Sequence, residues 1–410
     1  MPRFFVPAFC GGLVALSGLS LMAAGHPWGE EKLTPKEIAS YYDSAFLAGE
    51  WYLNTQNTRE NPWGGIHDSA DLGRFIYEYF PARRWARGNV VWGQAVGIMG
   101  LLGLHQRTGR RQYLDAALRA AEYMKSLQIL DPRDPDLGAM REKTPQEKEI
   151  LRRDTATGGM GLAALYRHTG DKEYLYRARL LADWYLKTHQ PWADIPREKR
   201  QVFQVGAGLM YYYVYKLTAE KRYLDGLVAI CEPLADDYHV RPWGPQSRQG
   251  PETLDEQLGA NDDFASIALL AAYRATGDRK YFDAVKRHAD WLVSVQAEDG
   301  SFPGFSAAVY VAGVTMLELC RVIEAEKMAI HTVPYYRAVH RGARFGLSLQ
   351  ERQPYDRMTY GGFWGQTNFG LNKDRIHHRV TGYSLIFNLR YEGRLDAPYY
   401  STFGWDGKAR

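Results

Sequence analysis

Two consecutive aspartates, Asp262 and Asp263, open an apolar segment in the sequence LGANDDF. An aspartate before a helix usually acts as an N-cap, because its carboxylate accepts unpaired backbone N–H groups of the first turn. One cap needs only one carboxylate, so the other aspartate is available for acid/base chemistry. Successive helical residues point about 100° apart, and Asp262 lies one turn before the polar Ser266. We predict that Asp262 faces the centre of the fold and that Asp263 is the cap.

Further candidates stand at the starts of apolar helices or in the long connections between helices. Asp154 and Asp71 are predicted as second carboxylates, which would support a water molecule or stabilise charge. Arginine binds carboxylates through two parallel hydrogen bonds, and flat aromatic rings can stack on sugars. The predicted substrate-binding residues are Trp63, His67, Arg74, Trp92, Trp243, Tyr360, Trp364, His377, His378 and Arg379.

These residues also have structural explanations. Asp154 could be a helix cap, the run His377-His378-Arg379 could be a solvated end of a loop, and Tyr360-Gly361-Gly362 could be a packing corner. A Gln–aromatic–Gly pattern recurs after Gln56 and Gln350, which indicates structural duplication. A functional site is favoured only if the fold brings these stretches together around one centre.

The elements that would position these residues are repeated helical hairpins. The segment from Leu258 to Gln296 contains a small, apolar inner helix, a tight turn at Thr276-Gly277-Asp278 and an outer helix with one apolar face. Four similar hairpins are predicted at about 89–128, 154–190, 201–239 and 306–350. A capping box at Thr34 starts a helix that runs to about Gln56, and a last apolar helix covers about 378–390.

One helix, five hairpins and one helix make twelve helices, and the first and last helices are predicted to pair. The sequence therefore predicts an all-α fold, an (α/α)6 toroid, in a single domain over residues 26–410. The turns from inner to outer helices are short, whereas the connections back to the next inner helix are long. Long loops in compact domains usually serve function, so the site is predicted at the face where the inner helices begin.

Residues 1–25 are predicted to be a secretory signal peptide outside this domain. Arg3 precedes an apolar run from Phe4 to Met22, which small residues follow and which is short for a membrane span. We therefore expect a secreted or periplasmic protein without membrane attachment after cleavage. Export leaves Cys231 and Cys320, which are predicted to be buried thiols rather than a disulfide.

The composition favours a carbohydrate partner. A formal net charge of +4 over 410 residues is too small and too dispersed to indicate a nucleic-acid-binding protein. Aromatic residues make up 13% of the chain, and many lie in Gly/Pro-rich stretches where rings can stack on sugars. With arginines and histidines among the candidates, an anionic carbohydrate is predicted. Neither a cofactor nor a metal is predicted, and the oligomeric state stays open.

The recurring motif Y-R-x-T-G-D-x-x-Y-[LF]-x-x-A resembles the six-hairpin glycosidase superfamily over most of the mature chain. Asn261-Asp262-Asp263-Phe264 resembles the aspartate-bearing inner helix of unsaturated glucuronyl and rhamnogalacturonyl hydrolases. This resemblance implies that Asp262 or Asp263 is the general acid/base. The segment WGQAVGIMGLLGLHQRTGRRQYLDAA is also similar to the toroidal part of glucuronyl C5-epimerases.

Three functional hypotheses follow. The leading one is a glycoside hydrolase that acts on a poly- or oligosaccharide containing uronic acid. The alternative is a polysaccharide lyase or uronyl C5-epimerase, which removes the C5 proton beside the carboxylate and would use Tyr360, His377 and Arg379. The third, from another class, is a non-catalytic glycan-binding toroid, against which the number of candidate acids argues.

Overall fold

The structure, a computed structural model, describes residues 33–61, 71–188, 207–240, 264–302, 308–365, 373–391 and 399–405. The predicted signal peptide lies outside these ranges and stays a prediction. In the described part of the chain, no helix is both long enough and apolar enough to cross a membrane. Cys231 and Cys320 are buried and unpaired with each other, which confirms the prediction of two buried thiols.

Twelve α-helices account for most of the described residues. They are, from α1 to α12, Pro35–Thr55, Val91–Thr108, Arg111–Ser126, Arg152–Thr169, Lys172–Thr188, Ala207–Thr218, Lys221–Val240, Phe264–Thr276, Arg279–Val295, Ala308–Ala325, Val333–Leu347 and His378–Tyr391. The predicted helices are therefore present, with ends that differ by a few residues.

The even-numbered helices form a closed inner ring. Each of them packs against the next even-numbered helix, and α12 packs against α2. The odd-numbered helices lie outside, each against its hairpin partner, and α1 packs against α12 as predicted. These contacts confirm the (α/α)6 toroid.

Burial follows the predicted division of roles. In α2, every residue from Val91 to Leu104 is buried, whereas the outer helix α9 buries only one face. The turn after α2 depends on Gly109, whose φ of +68° is a conformation that side chains disfavour. Thr108 completes the turn, since its hydroxyl donates to the Leu104 carbonyl and accepts from the Arg110 N–H.

Glutamines after four of the outer helices connect one hairpin to the next. From Nε2, Gln56 donates to the carbonyl of Gly73 in the following loop and to that of Ala116 in the next outer helix, at 2.9 Å each. A Cβ on Gly73 would lie 2.2 Å from the Arg119 carbonyl oxygen, so only glycine permits this approach. The same arrangement occurs at Gln128, Gln296 and Gln350. The recurring Gln–aromatic–Gly pattern therefore has a structural role.

Residues 399–405 close the end of the barrel at which the inner helices finish. Glu318 of α10 is fully buried and accepts hydrogen bonds from the Thr402 N–H at 2.7 Å and from the Ser401 hydroxyl. It also forms an ion pair with Arg390 of α12. Trp405 is fully buried, with its ring stacked 3.7 Å from that of Tyr213. We call residues 399–405 the C-terminal plug.

Candidate active site

A small antiparallel sheet lies at the opposite end, where the inner helices begin. Its strands are β1 (Ile76–Phe80), β2 (Trp85–Gly88) and β3 (Ile376–His377), in the order β2-β1-β3. The β1–β2 register shifts between Ile76 and Glu78, so Tyr77 occupies an irregularity of the kind that redirects a side chain. The sheet was not predicted, because it falls inside segments interpreted as loops.

Trp92, in the first turn of α2, is the centre of a cluster at this end. Its ring centroid is 5.7 Å from that of His378 and 6.4 Å from that of Tyr77. The Arg379 guanidinium carbon lies 5.9 Å from the Trp92 ring centroid. The structure therefore brings together Trp92, His378 and Arg379, three residues that were predicted from distant parts of the sequence.

Asp154 belongs to the same end of the barrel and is buried, with 8% of its surface exposed. It lies in the first turn of α4, which begins at Arg152, so Asp154 does not occupy the N-cap position. Burial raises the pKa of Tyr77, Arg379 lowers it, and the charge of Asp154 raises it again. The charges of Asp154 and Arg379 thus have opposite effects on the pKa of Tyr77.

His377 has both ring nitrogens directed at protein groups. Its Nδ1 accepts from the Arg379 N–H at 2.9 Å, which leaves the proton on Nε2. Nε2 lies 3.4 Å from Oε1 of Glu78. Burial lowers the pKa of His377 to about 4, although the Glu78 carboxylate opposes this shift. His377 is therefore neutral at neutral pH, in a fixed tautomer.

Glu78 is the buried acid of the sheet. Burial raises its pKa, but His377, Arg375 and Arg87 together bring the value down to about 2. Its carboxylate lies 2.9 Å from Nη1 of Arg375 and 3.0 Å from Nη2 of Arg87. Since His377 is neutral above pH 4, the two arginines balance the charge of Glu78 at neutral pH.

His378 lies beneath Trp92 and is fully buried. Its Nδ1 is 2.9 Å from the hydroxyl of Tyr52 in α1, and its ring meets the Tyr52 ring edge-on. Burial lowers the pKa of His378 well below its usual range, and the adjacent His377 lowers it further. His378 is consequently a neutral packing and positioning residue rather than part of a solvated charged run.

Asp71 and Arg74 form a pair of their own. Nη1 of Arg74 lies 2.8 Å from the Asp71 carboxylate, and Nε donates to the Asn89 carbonyl at 2.8 Å. The guanidinium carbon also lies 5.5 Å from the Tyr123 ring centroid. The described contacts of Arg74 are thus all within the protein, between the loop before β1 and helix α3. Roles for Asp71 and Arg74 in substrate chemistry stay predictions.

Tyr360 and Trp364 belong to a loop that packs on α1. The indole N–H of Trp51 in α1 donates to the Met358 carbonyl in this loop. Trp364 donates from Nε1 to Glu351 at 3.0 Å and pairs through its backbone with Ile376 of β3. This pairing sets Trp364 beside the sheet, whereas the backbone N–H of Tyr360 donates to the Asp356 carbonyl at 2.9 Å. Their binding roles stay predictions.

Five predicted site residues lie outside the described residues: Trp63, His67, Trp243, Asp262 and Asp263. Asp263 immediately precedes Phe264, the first residue of inner helix α8, as the hairpin repeat requires. Two other residues, Tyr77 and Glu78, contact the cluster but were missed. The run FIYEYF before Pro81, which is rich in aromatic and β-branched residues, could have indicated a strand that carries them.

Comparison with solved structures shows which proteins share this fold. An unsaturated glucuronyl hydrolase specific for heparin is 11% identical, with a TM-score of 0.64 over 88% of this chain and 99% of that one. The cellobiose 2-epimerase from Bacillus thermoamylovorans B4167 is 13% identical, with a TM-score of 0.63 over 88% and 100%. The α-1,6-mannanase GH76A of Salegentibacter sp. HEL1_6, in an inactive variant with α-1,6-mannotetrose, is 16% identical, with a TM-score of 0.57 over 86% and 99%. At these identities the similarity establishes the fold alone, the (α/α)6 toroid.

The match to a protein family names a particular activity, but it covers a shorter part of the chain than the structural similarity does. Residues 14–203, a little under half of the chain, match the family described as beta-L-arabinofuranosidase, GH127 catalytic domain. No curated protein sequence matches the chain. The family match supports the predicted enzyme class, a glycoside hydrolase.

Proposed function

We propose that the protein is an exported glycoside hydrolase that acts on carbohydrates containing uronic acid, with residues 26–410 as its catalytic domain. The observation that carries the proposal is the position of Asp154. This buried carboxylate lies in the first turn of inner helix α4, and its charge raises the pKa of Tyr77, whose ring centroid lies 6.4 Å from that of Trp92. An acid, an aromatic platform and a cation at one barrel end are what recognition and hydrolysis of an anionic sugar need.

Hydrolysis requires two carboxyl groups. One donates a proton to the glycosidic oxygen as the bond to the leaving sugar breaks, and the other assists the water that attacks the anomeric carbon or stabilises its charge. Asp262 is proposed as the proton donor and Asp154 as the second carboxylate. The Salegentibacter mannanase is inactive as a variant in which two consecutive aspartates are replaced by alanine. Asp262 and Asp263 are consecutive aspartates directly before inner helix α8.

Specificity for an anionic sugar is proposed from Arg379. Its guanidinium carbon lies 5.9 Å from the Trp92 ring centroid, so a sugar carboxylate that binds Arg379 would lie beside Trp92. The name of the heparin-specific glucuronyl hydrolase fits this substrate class. The family described as arabinofuranosidases makes a neutral furanoside the natural comparison substrate.

A lyase or epimerase would need a base beside the C5 proton. His377 is poorly suited to that role, because Nδ1 accepts from the backbone and Nε2 faces Glu78. His378 is fully buried and hydrogen-bonded to Tyr52. These contacts favour hydrolysis over proton abstraction by either histidine.

The test is incubation of the mature protein with heparin, alginate, polygalacturonate and unsaturated uronyl oligosaccharides, with arabinan and α-1,6-mannan as neutral controls. We expect new reducing ends with no gain in the ultraviolet absorbance of unsaturated uronate. A gain in that absorbance would identify a lyase, and C5 deuterium exchange without cleavage would identify an epimerase. Cleavage restricted to arabinan or mannan would refute the uronate specificity.

A further inference from the structure

The tip of the β1–β2 hairpin exposes an aromatic pair. Trp85 at the start of β2 is 49% exposed, and its ring centroid lies 5.4 Å from that of Phe80 at an interplanar angle of 34°. The two residues are register partners, so their side chains share one face of the sheet. A solvent-exposed tryptophan ring on a paired strand can stack on a flat ligand.

Arginines surround this pair. The guanidinium carbons of Arg375 and Arg83 lie 4.8 Å and 5.8 Å from the Phe80 ring centroid. Arg84 is exposed at the turn, with a φ of +48°. Arg375 is held by Glu78 and Asp374, whereas no ion pair of Arg83 or Arg84 is found among the described residues. We call Phe80, Arg83, Arg84, Trp85 and Arg375 the hairpin patch.

The hairpin patch and the candidate active site share one sheet face. Glu78 pairs with His377 of β3 on one side and with Arg87 of β2 on the other. Phe80 lies two residues further along β1 on the same face, about 7 Å from Glu78. The Arg87 side chain contacts both the Glu78 carboxylate and the Tyr77 ring, so a chain molecule bound beside Tyr77 could continue past Arg87 to Trp85.

We propose that the hairpin patch is an outer subsite that binds a remote unit of an anionic glycan chain. Trp85 would stack on a sugar face, and Arg83 and Arg84 would bind its carboxylate or sulfate groups. The inference rests on the proposed carbohydrate function and extends it from one sugar to a chain. It also predicts that longer anionic glycans bind more tightly than short ones, because only longer chains reach both places.

The experiment measures binding by calorimetry in the full mature chain carrying Asp154→Asn, which suppresses turnover. The probes are polygalacturonate and heparin of defined lengths, neutral dextran and single-stranded oligo-dT. Trp85→Ala is expected to weaken binding of long anionic glycans by about fivefold to tenfold, the contribution of roughly one stacked ring. Tyr176→Ala is the matched control, since Tyr176 is 60% exposed on outer helix α5, away from the sheet.

Three results would overturn the subsite: unchanged affinity of Trp85→Ala for long glycans, an equal loss in Tyr176→Ala, or tighter binding of oligo-dT than of any glycan. The binding test of the subsite can be distinguished from the test of hydrolysis. Glycan binding that depends on Trp85, without turnover by the wild-type protein, would refute the hydrolase and retain the subsite. Turnover of long chains by the wild-type protein, with unchanged glycan affinity in Trp85→Ala, would retain the hydrolase and refute the subsite.

Discussion

Replacing Glu318 by glutamine tests how the C-terminal plug is held. Glu318 is fully buried, and burial raises its pKa, but Arg390 and Thr402 bring the pKa below its usual value. The side chain is therefore an ionised carboxylate inside the barrel. Glutamine keeps the size and one acceptor, but it leaves the Arg390 guanidinium buried without its counter-charge.

Breaking a buried ion pair on one side typically costs about 3–5 kcal/mol of stability. Because glutamine can still accept from the Thr402 N–H, we expect Glu318→Gln near the lower limit, about 3 kcal/mol. Urea unfolding at neutral pH, followed by circular dichroism, gives this value directly if the m-value is unchanged. Glu324→Gln is the matched control on the same helix: the residue is exposed and glutamine can still accept from the Tyr336 hydroxyl, so a change below about 0.5 kcal/mol is expected.

The double variant Glu318→Gln/Arg390→Met separates charge from packing. Arg390→Met removes the guanidinium group that Glu318→Gln leaves buried without a counter-charge. The double variant is therefore expected to be more stable than Glu318→Gln alone. If Glu318→Gln were as stable as Glu324→Gln, or if the double variant lost the sum of both single effects, the ion pair would not hold the plug.

Two further predictions concern the acids before α8 and the buried histidines. Asp262→Ala is expected to abolish turnover with little loss of stability, whereas Asp263→Ala should cost about 1 kcal/mol of stability as a lost cap. Turnover and thermal melts of both variants test these expectations. An active Asp262→Ala protein, together with a stable but inactive Asp263→Ala protein, would reverse the two roles. Burial lowers the pKa of His168, His288 and His377 from 6.5 to about 4. The unfolded chain therefore takes up protons near pH 6.5 while the folded chain does not, so stability should fall by several kcal/mol between pH 6.5 and 4. Unfolding free energies that stay constant between pH 7 and 5 would contradict this account.

The hairpin repeat was predictable because its signals are local. Thr108-Gly109 and Thr169-Gly170 stop inner helices with a left-handed glycine, and the periodicity of apolar residues identifies the helices between these turns. The start of α4 was placed two residues late, because its N-cap position is Leu151, which makes no side-chain cap.

The plug, and the residues that pair with the first strand of the sheet, could not be predicted from local sequence pattern. Ser401 and Thr402 are polar and aperiodic, and they are buried only because Glu318, 83 and 84 residues earlier, accepts their hydrogen bonds. The low pKa of Glu78 likewise depends on His377 and on Arg375, the latter 297 residues later in the chain. These partners come together only when the ring closes, so local sequence pattern does not identify them.

The central claim, carboxylate catalysis at the end of the barrel where the inner helices begin, is tested most directly by Asp154→Asn. Turnover and binding are measured on the best substrate of the polysaccharide panel. The account predicts a fall in kcat of about 100-fold or more, the usual contribution of a catalytic carboxyl group, with substrate affinity retained within a few fold. Near wild-type turnover by a folded Asp154→Asn protein would contradict it.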